Sequence, residues 1–239
     1  KDYIKNQGGN YIIGPMNGST WESYRFSTHH NAPNFFLEPY HHLYYNKQFT
    51  DFGFKEFAHY FSSHTYDLNF ENEQVNQLHN KFLEHGVNIR NINLNNYENE
   101  LQKLYPFLLD AFKTNFLYTP ITFENFSKKY VQLKNFINPE FALIAEDNNR
   151  NMIGVFFCIH DFYNTNSKTL IIKTIARSAD KIWSGLGHEM GKIIYKRAAG
   201  AAYTEIIHAF MFQQGTSTAI SENFLGTPFK NYILYGKEI

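Results

Sequence analysis

The chain has 239 residues, enough for a sizeable buried core, and its 22 basic residues balance 22 acidic ones. Nucleic-acid binders draw much of their affinity from a basic excess, so this balance argues against DNA or RNA as the main partner. The single cysteine, Cys158, excludes an internal disulfide framework and is typical of the reducing cytoplasm. No apolar stretch approaches the roughly 20 residues of a membrane span, so no membrane partner is expected.

Aromatic residues make up 18% of the chain, with 24 Phe and 17 Tyr. A core rich in rings is the favoured interpretation, because a pocket uses only a few rings and a core uses most of them. An aromatic-lined pocket for a bulky substrate is the alternative that composition leaves open.

Residues 1–66 predict short strands and turns rather than a long helix. Residues 11–13 predict a strand that ends at the turn Gly14-Pro15. A short helix is expected at 41–49 and a strand from Gly53 to residue 66. These elements are too few to close a core alone.

The character of the sequence changes between residues 70 and 94. Helical spacing and a stop signal at Gly86 predict a connecting helix over 70–85, with Phe70, Val75, Leu78 and Phe82 on one face. Residues 87–94 alternate and predict a strand.

Two helices are expected next. Residues 97–113 place leucines on one face, and Pro106 is expected to kink or split this helix. Thr122 predicts the N-cap of a second helix that runs to residue 136, since Asn125 follows three residues later.

The clearest hairpin joins strands at 141–146 and 152–160 through turn residues. A third strand is expected at 169–176. Further along, the sequence predicts a helix at 187–199, a strand at 204–211, a helix at 217–225 and a strand at 231–235. The order from Val87 is β-α-α-β-β-β-α-β-α-β, which predicts an α/β fold with a mixed (α+β) sheet.

A glycine turn stands before the helix predicted at 187–199. Gly185 and Gly187 allow a tight bend and close approach of a ligand, and amides at a helix start favour an anion. The backbone amides of Ser184, Gly185, Leu186, Gly187 and His188 are therefore predicted to bind a pyrophosphate. A glycine-rich connection without a ligand is the alternative.

The element order and this turn resemble the GNAT N-acyltransferase superfamily, whose signature loop reads Val-x-Pro-x-x-Arg-x-x-Gly-x-Gly. Residues 177–187 match its glycine pair, while Ala179 stands where Pro is common and Ile182 where Arg or Gln is usual. The resemblance implies an acyl-CoA N-acyltransferase fold, with acetyl-CoA as cosubstrate and no metal. It also adds Ile182 to the predicted phosphate loop.

The resemblance further implies how the thioester is held. The strand with Ile175, Ala176 and Arg177 would receive the pantetheine arm and splay from the strand predicted at 204–211. A backbone amide there would stabilise the oxyanion while an amine attacks the thioester directly. Lys173 and Arg177 could attract phosphates or be ordinary solvated charges.

The catalytic side chains match the superfamily less well. The position of the usual proton-donating Tyr is occupied by Glu222, and the usual Asn after the fifth strand is missing from 213–216. His208, Tyr232 and Tyr235 are the candidates, each with a core role as the alternative. Adjacent histidines at 29–30 and 41–42 point to opposite sides of a strand, so no metal site is predicted.

The C-terminal stretch resembles a bacterial branch of the superfamily whose members carry two GNAT-like halves. Residues 1–66 would then be the C-terminal part of an N-terminal GNAT-like unit, and 67–239 the acyltransferase domain.

Three functions remain open at this point. The first is an acetyl-CoA-dependent N-acyltransferase that acts on a small-molecule or peptide amine. The second is a degenerate GNAT-fold module that binds an acyl-CoA or a partner without turnover, as the departures at Ile182 and Glu222 suggest. The third is a tandem-fold transferase that uses aminoacyl-tRNA or a long acyl chain. A cytoplasmic location is expected, and a homodimer stays open.

Overall fold

The computed structural model describes residues 2–69, 73–215 and 217–239. Nine strands form one sheet in the order β1-β9-β3-β8-β7-β6-β5-β4, and β2 pairs with β9. All neighbours are antiparallel except β7 and β8. The strands are β1 Tyr11–Gly14, β2 Phe26–Ser27, β3 Lys55–Thr65, β4 Asn88–Asn91, β5 Ala142–Glu146, β6 Met152–His160, β7 Thr169–Arg177, β8 Glu205–Phe212 and β9 Thr227–Glu238.

The α-helices cover both faces of this sheet, and short 3-10 turns connect several of them. The helices are α1 Asp2–Asn6, α2 Tyr44–Asp51, α3 Glu73–Glu84, α4 Tyr97–Phe112, α5 Phe123–Leu133, α6 Leu186–Gly200 and α7 Ser217–Asn223. The mixed α/β fold and the predicted order of elements after residue 87 are confirmed. Among the described residues, no helix has the length and apolar character to cross a bilayer.

Several local predictions can be checked directly. Thr122 caps α5, since its Oγ1 accepts from the Asn125 amide at 3.3 Å. Pro106 was expected to kink or split the helix; a split is wrong, because α4 continues through this residue, and a kink stays a prediction. Pro106 lies on the exposed side of α4. Water can therefore hydrogen-bond to the helix carbonyl that receives no N–H from proline. Phe70, which was predicted to begin the connecting helix, lies outside the described residues.

Strand β6 shows how the sheet separates two cores. Phe156 and Cys158 point to a core shared with α3 and α6, whereas Val155 and Phe157 point to a core under α4 and α5. Alternate side chains of a strand face opposite sides of the sheet, and both sides here are covered. Apolar residues therefore fill β6 without interruption.

The strands of residues 1–66 join the same sheet as the rest of the chain. β3 lies between β8 and β9 and pairs with both in antiparallel orientation. It therefore completes the sheet beside the last strand, which agrees with the expectation that residues 1–66 cannot close a core alone. The division at residue 66 into two units stays a prediction.

Among the described residues, about as many aromatic side chains are exposed as are buried, and the rest are partly buried. Phe35, Phe126, Phe156 and Phe224 are among the largest fully buried side chains. A cavity of about 40 Å³ lies among apolar side chains between α4–α5 and the sheet. This cavity is too small for a long acyl chain.

Candidate functional site

The central feature is an opening between β7 and β8. The two strands pair over four residues only, from Thr169 with Glu205 to Ile172 with His208. Beyond that point β7 stays with β6 as far as Arg177, and β8 stays with β3 as far as Phe212. The predicted splay of these strands is confirmed, and alternate backbone groups beyond Ile172 face the gap.

We call this opening between β7 and β8 the fork. Two β-bulges lie at its closed end. Lys173 is an extra residue in β7, because Thr174 and Ile172 oppose consecutive residues of β6. In β8, Ala209 and Phe210 together oppose Ser62 of β3. Phe210 has a φ of 59°, and its amide donates to Ser62 Oγ at 3.2 Å. Bulges increase local twist and bend a strand, so these two direct the strands apart.

The predicted glycine turn begins α6 beside the fork. Gly185 has a φ of 94°, the left-handed region that glycine tolerates, and no side chain of the described residues caps the helix. The amides of Ser184 and His188 donate to carbonyls within the turn. Within the described part of the chain, the amides of Gly185, Leu186 and Gly187 have no acceptor. Of the five predicted amides, these three remain to bind an anion.

The remaining predicted cofactor residues lie along β7 and the loop after it. Ile175 faces the α6 side of the sheet, and Ala176 is buried on the α4 side. The guanidinium of Arg177 donates to Ser178 O at 2.7 Å, so it is held against its own loop. Ile182 is 39% exposed, and its amide donates to Asp180 Oδ1 at 3.1 Å. None of these contacts tests their predicted role.

Helix α3 packs against the turn, which the sequence did not predict. A Cβ built on Gly185 would lie 2.7 Å from Leu78 Cδ2, and the Lys81 ammonium donates to Ser184 O at 3.1 Å. Leu186 and Gly187 are buried, and Gly185 is half-buried. α3 therefore limits the directions from which a ligand can reach the turn.

His208 is the last residue of β8 that pairs with β7, and its side chain points toward α6 and α7. Its Nε2 is 2.7 Å from the Tyr195 hydroxyl, and its Nδ1 is 2.7 Å from Ser221 Oγ. Burial lowers the pKa of His208 to about 4, so the ring is neutral near pH 7. A buried ring held by two hydroxyls fits the core alternative better than the role of a base.

The two candidate tyrosines lie on opposite faces of β9. Tyr232 donates to Glu38 Oε1 at 2.8 Å, and Tyr235 donates to Asn46 Oδ1 at 2.9 Å. Burial raises the pKa of both hydroxyls, and the carboxylate of Glu38 raises that of Tyr232 further. The structure does not bring Tyr232, Tyr235 and His208 together, so they do not form one catalytic group. Their individual roles stay predictions.

Two cations lie near the closed end of the fork, and only Lys173 was singled out from the sequence, as a charge that could attract phosphates or be solvated. The Arg25 guanidinium is buried among aromatic rings, one of them Phe210. Lys173 is half-buried, and burial, then repulsion by Lys129 and Arg25, lowers its pKa to about 8. The only sequence signal was a lone charge at Lys173 in an apolar strand. Arg25 is far away in sequence and gave none.

The described residues include no group of three or more His, Cys, Asp or Glu side chains that could hold a metal ion.

Solved structures of acetyltransferases share this architecture. A GCN5-related N-acetyltransferase from Sphaerobacter thermophilus matches with a TM-score of 0.52 at 13% identity, over 81% of this chain and 56% of that one. A glucosamine N-acetyltransferase region of a fungal multi-domain beta-N-acetylglucosaminidase gives 0.57 at 10% identity, over 99% and 26%. A tandem GNAT protein from the clavulanic acid biosynthesis pathway gives 0.55 at 7% identity, over 99% and 66%.

The chain spans 56% of the length of the first of these structures and 26% of the second. No protein-family model matches the sequence, and no curated protein matches it. At such low identities, the likeness establishes the fold.

Proposed function

We propose that this chain, which has the fold of the GNAT N-acetyltransferases, binds an acyl-CoA and transfers the acyl group to an amine. Acetyl-CoA is the expected cosubstrate, and a small-molecule or peptide amine is the expected acceptor. The observation that carries the proposal is the fork between β7 and β8, next to three amides at the start of α6 that have no acceptor among the described residues.

The amides of Gly185, Leu186 and Gly187 supply the binding end of this proposal. Amide hydrogens at a helix start carry a partial positive charge and favour a diphosphate. The open edge of β7 supplies unpaired backbone groups to which an extended arm can add as a strand does. The chain therefore offers one group of donors for the phosphates and one edge for the pantetheine arm.

The chemistry needs few side chains. Acyl-CoA supplies a thioester, and the amine nitrogen forms a bond to its carbonyl carbon while the carbon–sulfur bond breaks. The ammonium proton leaves to a base, directly or through water, and the thiolate takes up a proton. A β7 amide that faces the fork is placed to stabilise the oxyanion, which is a role for the backbone of Ile175, Ala176 or Arg177.

Calorimetry with acetyl-CoA tests the binding step. Gly187→Val is the informative variant, because Gly187 has an ordinary φ and its Cβ would meet only side-chain ends, with Ile220 Cδ1 nearest at 3.1 Å. Gly200→Val at the other end of α6 is the matched control, because a Cβ there has nothing within 4 Å. We expect the wild type and Gly200→Val to bind and Gly187→Val to lose binding. Absence of binding by the folded wild type would refute the proposal.

Gly185 is a poorer position for this test. Its φ of 94° strains any other residue, and the added Cβ would collide with Leu78. A loss of binding in a Gly185 variant would therefore mix the stability of the fold with the affinity for the ligand.

A binding module without turnover is the second candidate. It is favoured by the state of His208, Tyr232 and Tyr235, all of which are buried and hydrogen-bonded to other side chains. Thiol release from acetyl-CoA with a panel of amines separates the two functions. An acyltransferase releases thiol faster than the background reaction, whereas a binding module retains the ligand without release.

A further inference from the structure

We propose that Arg25 and Lys173 form a binding site for a carboxylate or phosphate group at the closed end of the fork. Its assignment to the acceptor amine rests on the proposed function, while the binding of an anion does not. The site would select acceptors that carry a negative charge in addition to the amine.

Arg25 is the first observation that carries this inference. Its residue surface is 9% exposed, and its Nε and Nη1 are fully buried with no acceptor among the described residues. Buried charged donors in folded proteins are almost always paired, because an unpaired one loses its hydration without compensation. A guanidinium in this state is explained by an acceptor that arrives with a ligand.

The rings around Arg25 hold the guanidinium without satisfying its hydrogen bonds. Its Cζ lies 4.1 Å from the centroid of Tyr24, 4.4 Å from Phe210 and 4.8 Å from Tyr60. Such contacts attract the faces of the cation, whereas its N–H groups point outward in its plane. The rings therefore fix the orientation of the donors.

The backbone of Arg25 is also held in an unfavourable conformation. Its φ of 67° is in the left-handed region, which an arginine seldom adopts, and its amide donates to Pro15 O at 3.0 Å. Backbone strain of this kind concentrates at functional sites, where the surrounding structure enforces it. The fold thus keeps an arginine buried, unpaired and strained at one position.

Lys173 is the second, independent observation. It is the bulged residue of β7 at the fork, and no described residue forms a hydrogen bond or ion pair with it. The third nearby cation, Lys129, differs because it is paired with Glu22 at 2.9 Å. Arg25 and Lys173 therefore have no counterion among the described residues, and they lie close enough to repel each other.

Phe210 connects the two cations to the proposed reaction site. It is the bulged residue of β8 and stacks on Arg25, while Lys173 is the first residue of β7 after the last β7–β8 pair. An anion bound here would be held beside the gap in which we propose that the thioester lies. A second, amine-bearing end of the same molecule could then reach the gap.

The first test measures the binding of simple anions by the full chain without any CoA. Inorganic phosphate and acetate are titrated separately, and the Arg25 Nε–H and Phe210 amide signals are followed by NMR. We expect both signals to shift with saturation. Lys173→Met should weaken binding by about tenfold, and Arg25→Met by at least as much, as for the loss of a charge-assisted hydrogen bond.

Lys168→Met is the matched control, because Lys168 precedes β7 at its opposite end and donates to Ala201 O. Its affinity for either probe should equal that of the wild type. The proposed site would be refuted if the two NMR signals do not shift, or if Lys168→Met loses as much anion affinity as Lys173→Met. Should Arg25→Met fail to fold, the wild-type Arg25 signal and Lys173→Met still decide the outcome.

The second test concerns the acceptor. With acetyl-CoA present, amines that carry a carboxylate or phosphate should release thiol about tenfold faster than uncharged amines of equal length. Lys173→Met should remove that preference, so that charged and uncharged amines of equal length release thiol at the same rate. Anion binding without such a preference would overturn the assignment to the acceptor. Anion binding without CoA binding would refute the proposed function and leave the anion site standing.

Discussion

Two cations buried in the same part of the molecule have opposite surroundings. Lys230 is fully buried and lies 2.6 Å from Glu38, which also accepts from the Tyr232 hydroxyl. Arg25 is nearly as buried but has rings for neighbours and no acceptor for its Nε and Nη1 among the described residues. The ion pair with Glu38 indicates a structural role for Lys230. The lack of an acceptor for Arg25 among the described residues indicates that its guanidinium binds a ligand.

Removal of the Lys230 charge should have the largest effect on stability. Lys230→Met leaves the Glu38 carboxylate buried without its counterion, so the free energy of unfolding should fall by about 3–5 kcal/mol. Urea denaturation measures this change. The double variant Lys230→Met/Glu38→Gln should recover most of it, because the uncompensated charge is gone. An unchanged midpoint in the single variant would contradict a structural role for the pair.

His208 is a third buried group for comparison, and both of its ring nitrogens are hydrogen-bonded to neutral hydroxyls. Its folded-state pKa of about 4 lies below its usual value, so its stabilising contribution is complete above pH 6.5 and is lost as the pH falls toward 4. This loss should amount to roughly 3 kcal/mol. Urea denaturation from pH 7 to 4 should show a shallower decline for His208→Gln than for the wild type. The exposed His59→Gln should follow the wild type.

Lys173 should give a smaller effect in the alkaline range. Its pKa of about 8 lies below the usual value, so the folded state disfavours its charge, and stability rises as the pH increases from 8 to 10. The rise should be roughly 1–2 kcal/mol after allowance for its half-buried position. Lys173→Met should lack it. Lys129 and Arg25 lie close enough to Lys173 to lower its pKa by repulsion, and Tyr60 stays neutral in this range because burial raises its pKa.

Arg25→Met should change stability least. The lost attraction to the rings and the removal of unpaired buried donors oppose each other, so the free energy of unfolding should move by less than about 1 kcal/mol. The variant is compared with Lys230→Met by the same urea titration. A loss as large as that of Lys230→Met would mean that Arg25 holds the fold together, and the contrast between the two cations would disappear.

Local signals were sufficient for much of the fold. The hairpin of β5 and β6, the N-cap at Thr122 and the glycine turn before α6 depend on neighbours in sequence, and they were predicted where the structure has them. The insertion of β3 between β8 and β9 was not predicted, because it pairs residues 55–64 with residues 227–236 across most of the chain.

The candidate site was less predictable for the same reason. The bulges at Lys173 and Phe210 arise from register between strands, which composition does not reveal. Arg25 meets the fork only through tertiary packing, so its burial and missing partners have no sequence signature. His208 is the reverse case, because its position in β8 was predicted and its two hydroxyl partners were not.

The most direct measurement follows the backbone amide signals of Gly185, Leu186 and Gly187 by NMR while coenzyme A is added. If these amides receive the diphosphate, their signals shift downfield together and saturate, and desulfo-coenzyme A gives the same shifts because its phosphates are intact. If coenzyme A leaves the three signals in place, or moves them no more than the signals at the far end of α6, the acyl-CoA account is contradicted.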